Sequence, residues 1–231
     1  MGKRKHPRLG QHLKGCCHEL LCTRTKILIH GRPFFVKKQE EKILRVIAGE
    51  NKGRTLRTVS SRLTRPTTDK VKETIFNMIG PYLEGGTVLD LYGGSGGLGI
   101  EALSRGADHA VFVDKAVAAC RVIRENVQNC RYEDRSEILQ LDASRALATF
   151  SDENRSFDYV FLDPPYAKQH LNRDIETMLK EHLLSDQTIV VAEHLDTVTL
   201  PEKFPDRLVR WKYRTYQGKT AVSIYTFQGN E

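Results

Sequence analysis

No run in the 231-residue chain approaches the ~18 consecutive apolar residues of a membrane span, and no apolar signal segment follows its basic start. A soluble, cytoplasmic protein is the expectation. Cysteine is scarce too: there are five, an odd number at irregular spacings, which excludes a disulfide framework and fits a reducing compartment. His12, Cys16, Cys17, His18 and Cys22 crowd together, but Cys-Cys-His without a second paired knuckle is not a zinc-ligand spacing, so no metal is expected. Cys120 and Cys130 fall in or near a helical pattern and read as small apolar packers. Internal repeats and low-complexity tracts are absent, which excludes solenoid and array architectures.

Acidic residues are few at the front of the chain. Residues 1–43 hold eleven Lys/Arg against three acids and residues 44–79 eight against three, whereas residues 80–231 hold seventeen against twenty-three. The net charge of +7 is therefore carried by the first third of the chain. Such asymmetry suits a polyanion engaged at the front, most simply a nucleic acid, although a merely solvated basic tail accounts for residues 1–43 equally well.

Residues 1–43 mix Gly, Pro, His and charge without sustained periodicity, and are expected to form a weakly structured basic extension. Residues 44–48, the Glu50-Asn51-Lys52-Gly53 turn and residues 54–59 read as a small basic hairpin within a 44–64 segment, with too few apolar residues for a buried element. Residues 65–231 form one domain. Thr67 or Thr68 caps a helix that carries Val71, Ile75, Phe76 and Ile79 on one face and stops at Gly80-Pro81. Strands are predicted at 87–92, 109–114, 137–142, 159–163 and 188–194, with helices near 97–106, 115–129, 143–150 and 170–182. That alternation predicts an α/β fold with a doubly wound parallel sheet. Residues 208–216 and 221–227, joined by Gln217-Gly218-Lys219, predict a closing antiparallel hairpin.

In such a sheet ligands bind beyond the carboxyl ends of the strands, at the topological switch point. Gly94-Ser95-Gly96-Gly97-Leu98-Gly99 satisfies G-x-G-x-x-G after the first of these strands, and Asp114 ends the next, where an acid accepts from ribose hydroxyls. Both features fit a nicotinamide dehydrogenase as well as an S-adenosylmethionine enzyme. Asp90 separates the two: a carboxylate just before the glycines repels a pyrophosphate but attracts the ammonium of a methionine moiety. Asp142, ending a third strand, is placed to accept from an adenine amino group. A strand-end Asp also caps the following helix, a reading that suffices for one such residue but not for three beside a glycine loop.

Asp163-Pro164-Pro165-Tyr166 leaves the fourth strand at the same switch point. Prolines fix φ and donate no backbone hydrogen bond, so this exit is stiff and extended. A plain proline-rich loop explains Pro164-Pro165 taken alone. Methyl transfer, however, is an in-line displacement that demands alignment, and the exocyclic amine of a nucleobase is a poor nucleophile because its lone pair is delocalised. The Asp163 carboxylate and the Pro164 carbonyl can accept from the two N–H groups and turn that lone pair out. Tyr166 offers a ring face to a base that has left its stack, a contact worth roughly 1–3 kcal/mol.

LRVIAGENKGRTL, TRPTTDKVKETIFNMI, LDLYGGSGGLGIEALSRGA and FLDPPY together are similar to the RsmD-type methyltransferases of 16S ribosomal RNA, over residues 44–227. The resemblance implies a class I methyltransferase (Rossmann-like) sheet of seven strands with an antiparallel last strand. It implies S-adenosylmethionine as donor, and as target the N2 of a guanine, of the guanine 966 type, in 16S rRNA of the small ribosomal subunit. It assigns Asp90, Gly93, Gly94, Ser95, Gly96, Asp114, Lys115, Asp142 and Ala143 to the cofactor, with Thr67 and Thr68 closing over it. Asp163, Pro164 and Tyr166 go to the target base. Arg45, Lys52, Arg54, Arg57 and Arg62 are the candidate RNA contacts, and a monomer is expected. Asp114 stands where the family usually has the longer Glu, and residues 1–43 have no counterpart. A DNA adenine-N6 methyltransferase shares the amine clamp; the small hairpin, in place of a target-recognition insertion, argues against it. A non-catalytic ribosome-assembly protein with a degenerate fold is opposed by the intact Asp163 and glycines.

Overall fold

Short apolar runs that alternate with amphipathic stretches set the architecture from residue 69 onward. The computed structural model describes residues 24–29, 32–37, 44–59, 69–165, 170–216 and 219–229. The chain divides into two units, Met1–Glu41 and Lys42–Glu231. In the first, β1 (Arg24–Ile29) pairs antiparallel with β2 (Arg32–Lys37), Arg24 opposite Lys37 and Ile29 opposite Arg32. Neither strand alternates apolar with polar residues, so the period-two signal of a strand is missing from the sequence and only weak structure is expected there. The His12–Cys22 cluster lies outside the described residues.

The second unit opens with β3 (Leu44–Arg45) and β4 (Thr55–Leu56), paired antiparallel, and then α1 (Asp69–Ile79). There follow β5 (Thr87–Asp90), α2 (Gly97–Ser104), β6 (His109–Val113), α3 (Val117–Cys130), β7 (Ser136–Leu139), α4 (Ala143–Asp152), β8 (Phe157–Leu162) and α5 (Leu171–Lys180). β9 (Leu184–Leu195), β10 (Leu208–Tyr216) and β11 (Thr220–Phe227) complete it. The seven-stranded sheet has the order β10-β11-β9-β8-β5-β6-β7, parallel from β9 to β7, with β11 antiparallel to both neighbours. This is the doubly wound class I methyltransferase sheet with its reversed last strand. The central strands are near-continuous apolar runs because both faces are covered. Ile75 and Phe76 of α1, Ile100 of α2 and Ile123 of α3 pack on one face; Phe150 of α4 and Ile175 and Met178 of α5 pack on the other.

The front hairpin departs from expectation. Leu44, Val46 and Leu56 are 5 %, 1 % and 3 % exposed and join the core beside α1 and α2, so the segment is a seated part of the domain rather than a surface arm. Three apolar side chains suffice because an ionic cluster fixes the backbone around them. Glu101 of α2, fully buried, accepts from the Ile47 and Ala48 amides at 2.8 and 3.0 Å and pairs with Lys72 Nζ at 3.2 Å and Arg105 Nε at 2.7 Å. Lys72 also donates to the Arg45 carbonyl, and Arg105 to that of Pro81. Burial lowers the Lys72 pKa, against the pull of Glu101. The turn sits on the end of α2: the Glu50 amide donates to the Ser104 carbonyl and the Asn51 amide to Ser104 Oγ. Gly49, at φ +81°, lies so close to Ser104 that any Cβ would overlap its carbonyl. Gly49→Ala should therefore destabilise the domain by about 2 kcal/mol or more, read from the midpoint of urea unfolding.

Candidate functional site

The chain order reverses after β7, so the switch point lies where β5 and β8 run side by side. Three carboxylates meet there: Asp90 at the end of β5, Asp114 just beyond β6 and Asp163 just beyond β8. Asp90 is 2 % exposed, and its Oδ2 accepts from the Gly99 amide at 3.0 Å. Burial drives its pKa up to about 7, the Gly99 hydrogen bond opposes this, and the charges of Asp163 and Asp114 add to the rise. A carboxylate shifted by desolvation and by two like charges marks a site short of a cation.

The glycine loop turns between β5 and α2 with Gly94 and Gly96 at φ +55° and +76°. Gly99 lets α2 descend onto β6, where a Cβ would overlap the ring of Phe112. Asp114 holds this loop: Oδ2 accepts from the Gly94 amide at 3.0 Å and Oδ1 from the Ala116 amide at 2.8 Å. Each oxygen keeps a second lone pair for another donor. The shorter side chain at this position thus reaches the loop itself. Gly93 donates to the Val113 carbonyl at 2.9 Å. Ser95 faces the front hairpin instead, with Oγ accepting from the Val59 amide at 3.1 Å. Lys115 is exposed and Ala143 half-buried.

Asp142 lies beyond β7, which stops at Leu139, and serves as N-cap of α4: Oδ1 accepts from the Arg145 amide at 3.2 Å and from Ser144 Oγ at 2.7 Å. These bonds lower its pKa, the Ser144 contact most. The simple helix-cap reading thus accounts for one of the three acids. Asp163 is half-buried, Pro164 buried and Pro165 exposed. Tyr166, Thr67, Thr68 and Arg62 lie outside the described residues.

Three residues that carry the site are not evident from motifs. Asn126 of α3, 1 % exposed, accepts from the Arg57 amide at 2.7 Å and donates to the carbonyls of Arg57 and Ser95 at 2.9 and 2.8 Å. One amide thereby clips the hairpin to the glycine loop. Tyr92 donates to Asp174 Oδ2 at 2.6 Å, tying the start of the loop to α5. A sequence signal exists for Asn126, which is a polar residue on the apolar face set by Ile123, Val127 and Cys130. Arg45, Lys52, Arg54 and Arg57 are all exposed. Arg45 pairs with Asp69 at 2.7 Å, Arg57 pairs with Glu125 at 2.7 Å, and Arg54 donates to the Asn129 carbonyl.

Comparison with known proteins agrees with this architecture. The pattern of the family described as "Conserved hypothetical protein 95" matches residues 44–226. YlbH of Bacillus subtilis is 46 % identical over 186 residues, which cover 80 % of this chain and all of that protein. The ribosomal RNA small subunit methyltransferase D of Haemophilus influenzae is 32 % identical over 150 residues, 65 % of this chain and 78 % of its own length. A solved structure of a conserved hypothetical protein from Streptococcus pyogenes superposes with a TM-score of 0.65 at 44 % identity, covering 70 % of this chain and 98 % of that one.

Proposed function

Because the chain belongs to the conserved hypothetical protein 95 family, that of the RsmD methyltransferases, we propose that it moves a methyl group from S-adenosylmethionine to the exocyclic N2 of a guanine in 16S rRNA, of the guanine 966 type. The observation that carries the reading is the placement of the Asp163-Pro164-Pro165 exit within electrostatic reach of buried Asp90, which itself accepts from Gly99 of the glycine loop. In this reading residues 1–43 are an extension, 44–64 an RNA-binding hairpin and 65–231 the methyltransferase domain, acting as a monomer in the cytoplasm.

The residues present fit the donor. It carries a sulfonium and an ammonium but no phosphate, and the groups that shift Asp90 are a backbone amide and two carboxylates. Asp90 would hold the ammonium, Asp114 the ribose hydroxyls with its remaining lone pairs, and Gly93, Gly94 and Gly96 would line the methionine moiety. Ser95 shapes the loop by holding Val59, and Lys115, Asp142 and Ala143 border the adenine side. Bound S-adenosylmethionine supplies an electrophilic methyl carbon. Everything else is alignment by the chain. The Asp163 carboxylate and the Pro164 carbonyl accept from the two N–H groups of the guanine amine and rotate its lone pair toward that carbon. Tyr166 supports the flipped base, and Thr67 and Thr68 close the cofactor side. The test is incubation with tritiated donor and small subunits lacking their modifications; label recovered as N2-methylguanosine supports the reading, and label in DNA adenine instead overturns it.

Affinity for the donor should depend on pH. Asp90 is largely protonated below about 7 and ionised above. An ammonium binds the ionised form, so affinity should rise with pH by up to about tenfold per unit below 7 and level off above it. The folded-state pKa of this acid is raised, so without ligand its contribution to stability is lost as pH climbs from 3.8 through about 7. Calorimetry from pH 5.5 to 8.5, roughly one to two units either side of that titration, should show the trend in the wild type and a flat profile in Asp90→Asn.

Arg45, Lys52, Arg54, Arg57 and Arg62 would contact RNA phosphates. Replacing Arg54 and Arg57 together by Ala should flatten the log–log salt dependence of RNA binding by about one to two units and leave donor binding intact. An unchanged slope would place the grip elsewhere.

A further inference from the structure

β10 is an edge strand of the sheet, yet it carries the only tryptophan in the chain, 49 % exposed, and Tyr213, 48 % exposed. Each ring has a cation against it: Lys212 Nζ lies 3.5 Å from the Trp211 ring centroid and the Arg210 guanidinium 5.2 Å from that of Tyr213. Lys212 is held there by donating to the Met78 carbonyl at 2.6 Å, and Arg210 by Glu202 at 2.6 Å. Arg214, next in the strand, and Lys219, in the turn after β10, are exposed as well. Residues 207–219 hold five of the seventeen cations found beyond residue 79 and none of the twenty-three acids.

We propose that this edge is a second RNA-contact surface, on which Trp211 and Tyr213 stack unpaired bases next to the target guanine while Arg214 and Lys219 hold the adjoining phosphates. Cations on an edge strand also serve to block strand pairing, and the irregular register between Arg210 and Lys212 adds to that protection. Protection explains the charges but not two open aromatic rings, which by themselves invite association. It also argues against a protein strand as occupant, because an added strand needs a flat, regular edge. Planar rings interleaved with cations, on a segment that carries no acid of its own although Glu202 and Asp186 pair with Arg210 and Arg207, match a single-stranded polynucleotide, whose bases stack and whose phosphates pair. The location fits the substrate. Tyr213 lies opposite Ser223, Ser223 opposite Ala192, and Ala192 opposite Leu162, the residue before Asp163. Three strand spacings, roughly 14 Å, therefore separate the ring from the row of the amine clamp, a few nucleotides along one strand.

The proposal rests on the RNA-methyltransferase reading, and the single tryptophan supplies a direct reporter. Intrinsic fluorescence should be quenched when a short single-stranded oligoribonucleotide is added to the full chain. Trp211→Ala and Tyr213→Ala should each weaken its binding by roughly 5- to 150-fold. Tyr213→Phe, which keeps the ring, should stay within about twofold of wild type. With small subunits as substrate, KM should rise in the alanine variants while kcat at saturation and donor affinity by calorimetry stay unchanged. Alanine variants that bind and methylate like a wild type active on subunits would overturn the surface and leave the function standing. A wild type that methylates no RNA would remove both. Fluorescence that follows protein concentration instead of RNA would make the edge an interface between copies, and the proposal would be wrong.

Discussion

Asp163→Ala should lower turnover at least ~10²-fold, the scale of one positioned transition-state contact, while donor affinity holds. The substitution removes one of two acceptors for the guanine amine, so the lone pair returns to conjugation and the approach to the methyl carbon is misaligned. Its effect on the cofactor side is indirect. Asp163 is one of the charges that push the Asp90 pKa up, so its removal eases ionisation of Asp90 and, below pH 7, should strengthen donor binding slightly. Asp163→Asn keeps one acceptor oxygen and should fall between wild type and Ala. Single-turnover kinetics with calorimetry on the same preparations separates the two effects. Loss of donor binding with turnover near wild type would reverse the assigned role.

Glu101→Leu should cost about 3–5 kcal/mol of stability, because it strips the counter-charge from two buried cations. Lys72 and Arg105, 0 % and 3 % exposed, would stay inside with no carboxylate, and the Ile47 and Ala48 amides would lose their acceptor. For a chain of this length such a loss corresponds to a fall in Tm of roughly 10 °C. Replacing Glu101 and Lys72 together by Leu and Met should recover part of it, since a hydrophobic pair of similar volume leaves fewer unpaired charges. Thermal unfolding of the two variants measures both numbers. A single variant that melts within a degree or two of wild type would show that the cluster contributes little.

The sheet was legible because its signals are local. Runs at 88–91, 110–113 and 159–162, apolar except for Asp90, are too short for helices and are spaced by amphipathic stretches. The glycine loop, Asp90 and the Asp163-Pro164-Pro165 exit were legible because each needs a residue type that few other tasks require. What stayed hidden depends on pairings distant in sequence. Lys72 and Glu101 look like surface residues until their partners arrive across the fold, and the hairpin looks too polar to bury for the same reason. Asp142 illustrates the opposite difficulty: a carboxylate beyond the end of a strand also caps the helix that follows, so its residue type alone does not separate the two roles. The β1–β2 pair escaped because its strands lack alternation.

The seating of the hairpin also fixes when it can form. Ile47 hangs on Glu101, 54 residues later, and Asn51 donates to the Cys130 carbonyl, 79 residues later. At ~5–20 residues per second of synthesis, residues 44–59 wait several seconds with Leu44, Val46 and Leu56 exposed before their seats exist. A nascent chain halted before α3 has emerged should therefore be cut readily between 44 and 59 by added protease, and one halted after Cys130 has emerged should resist.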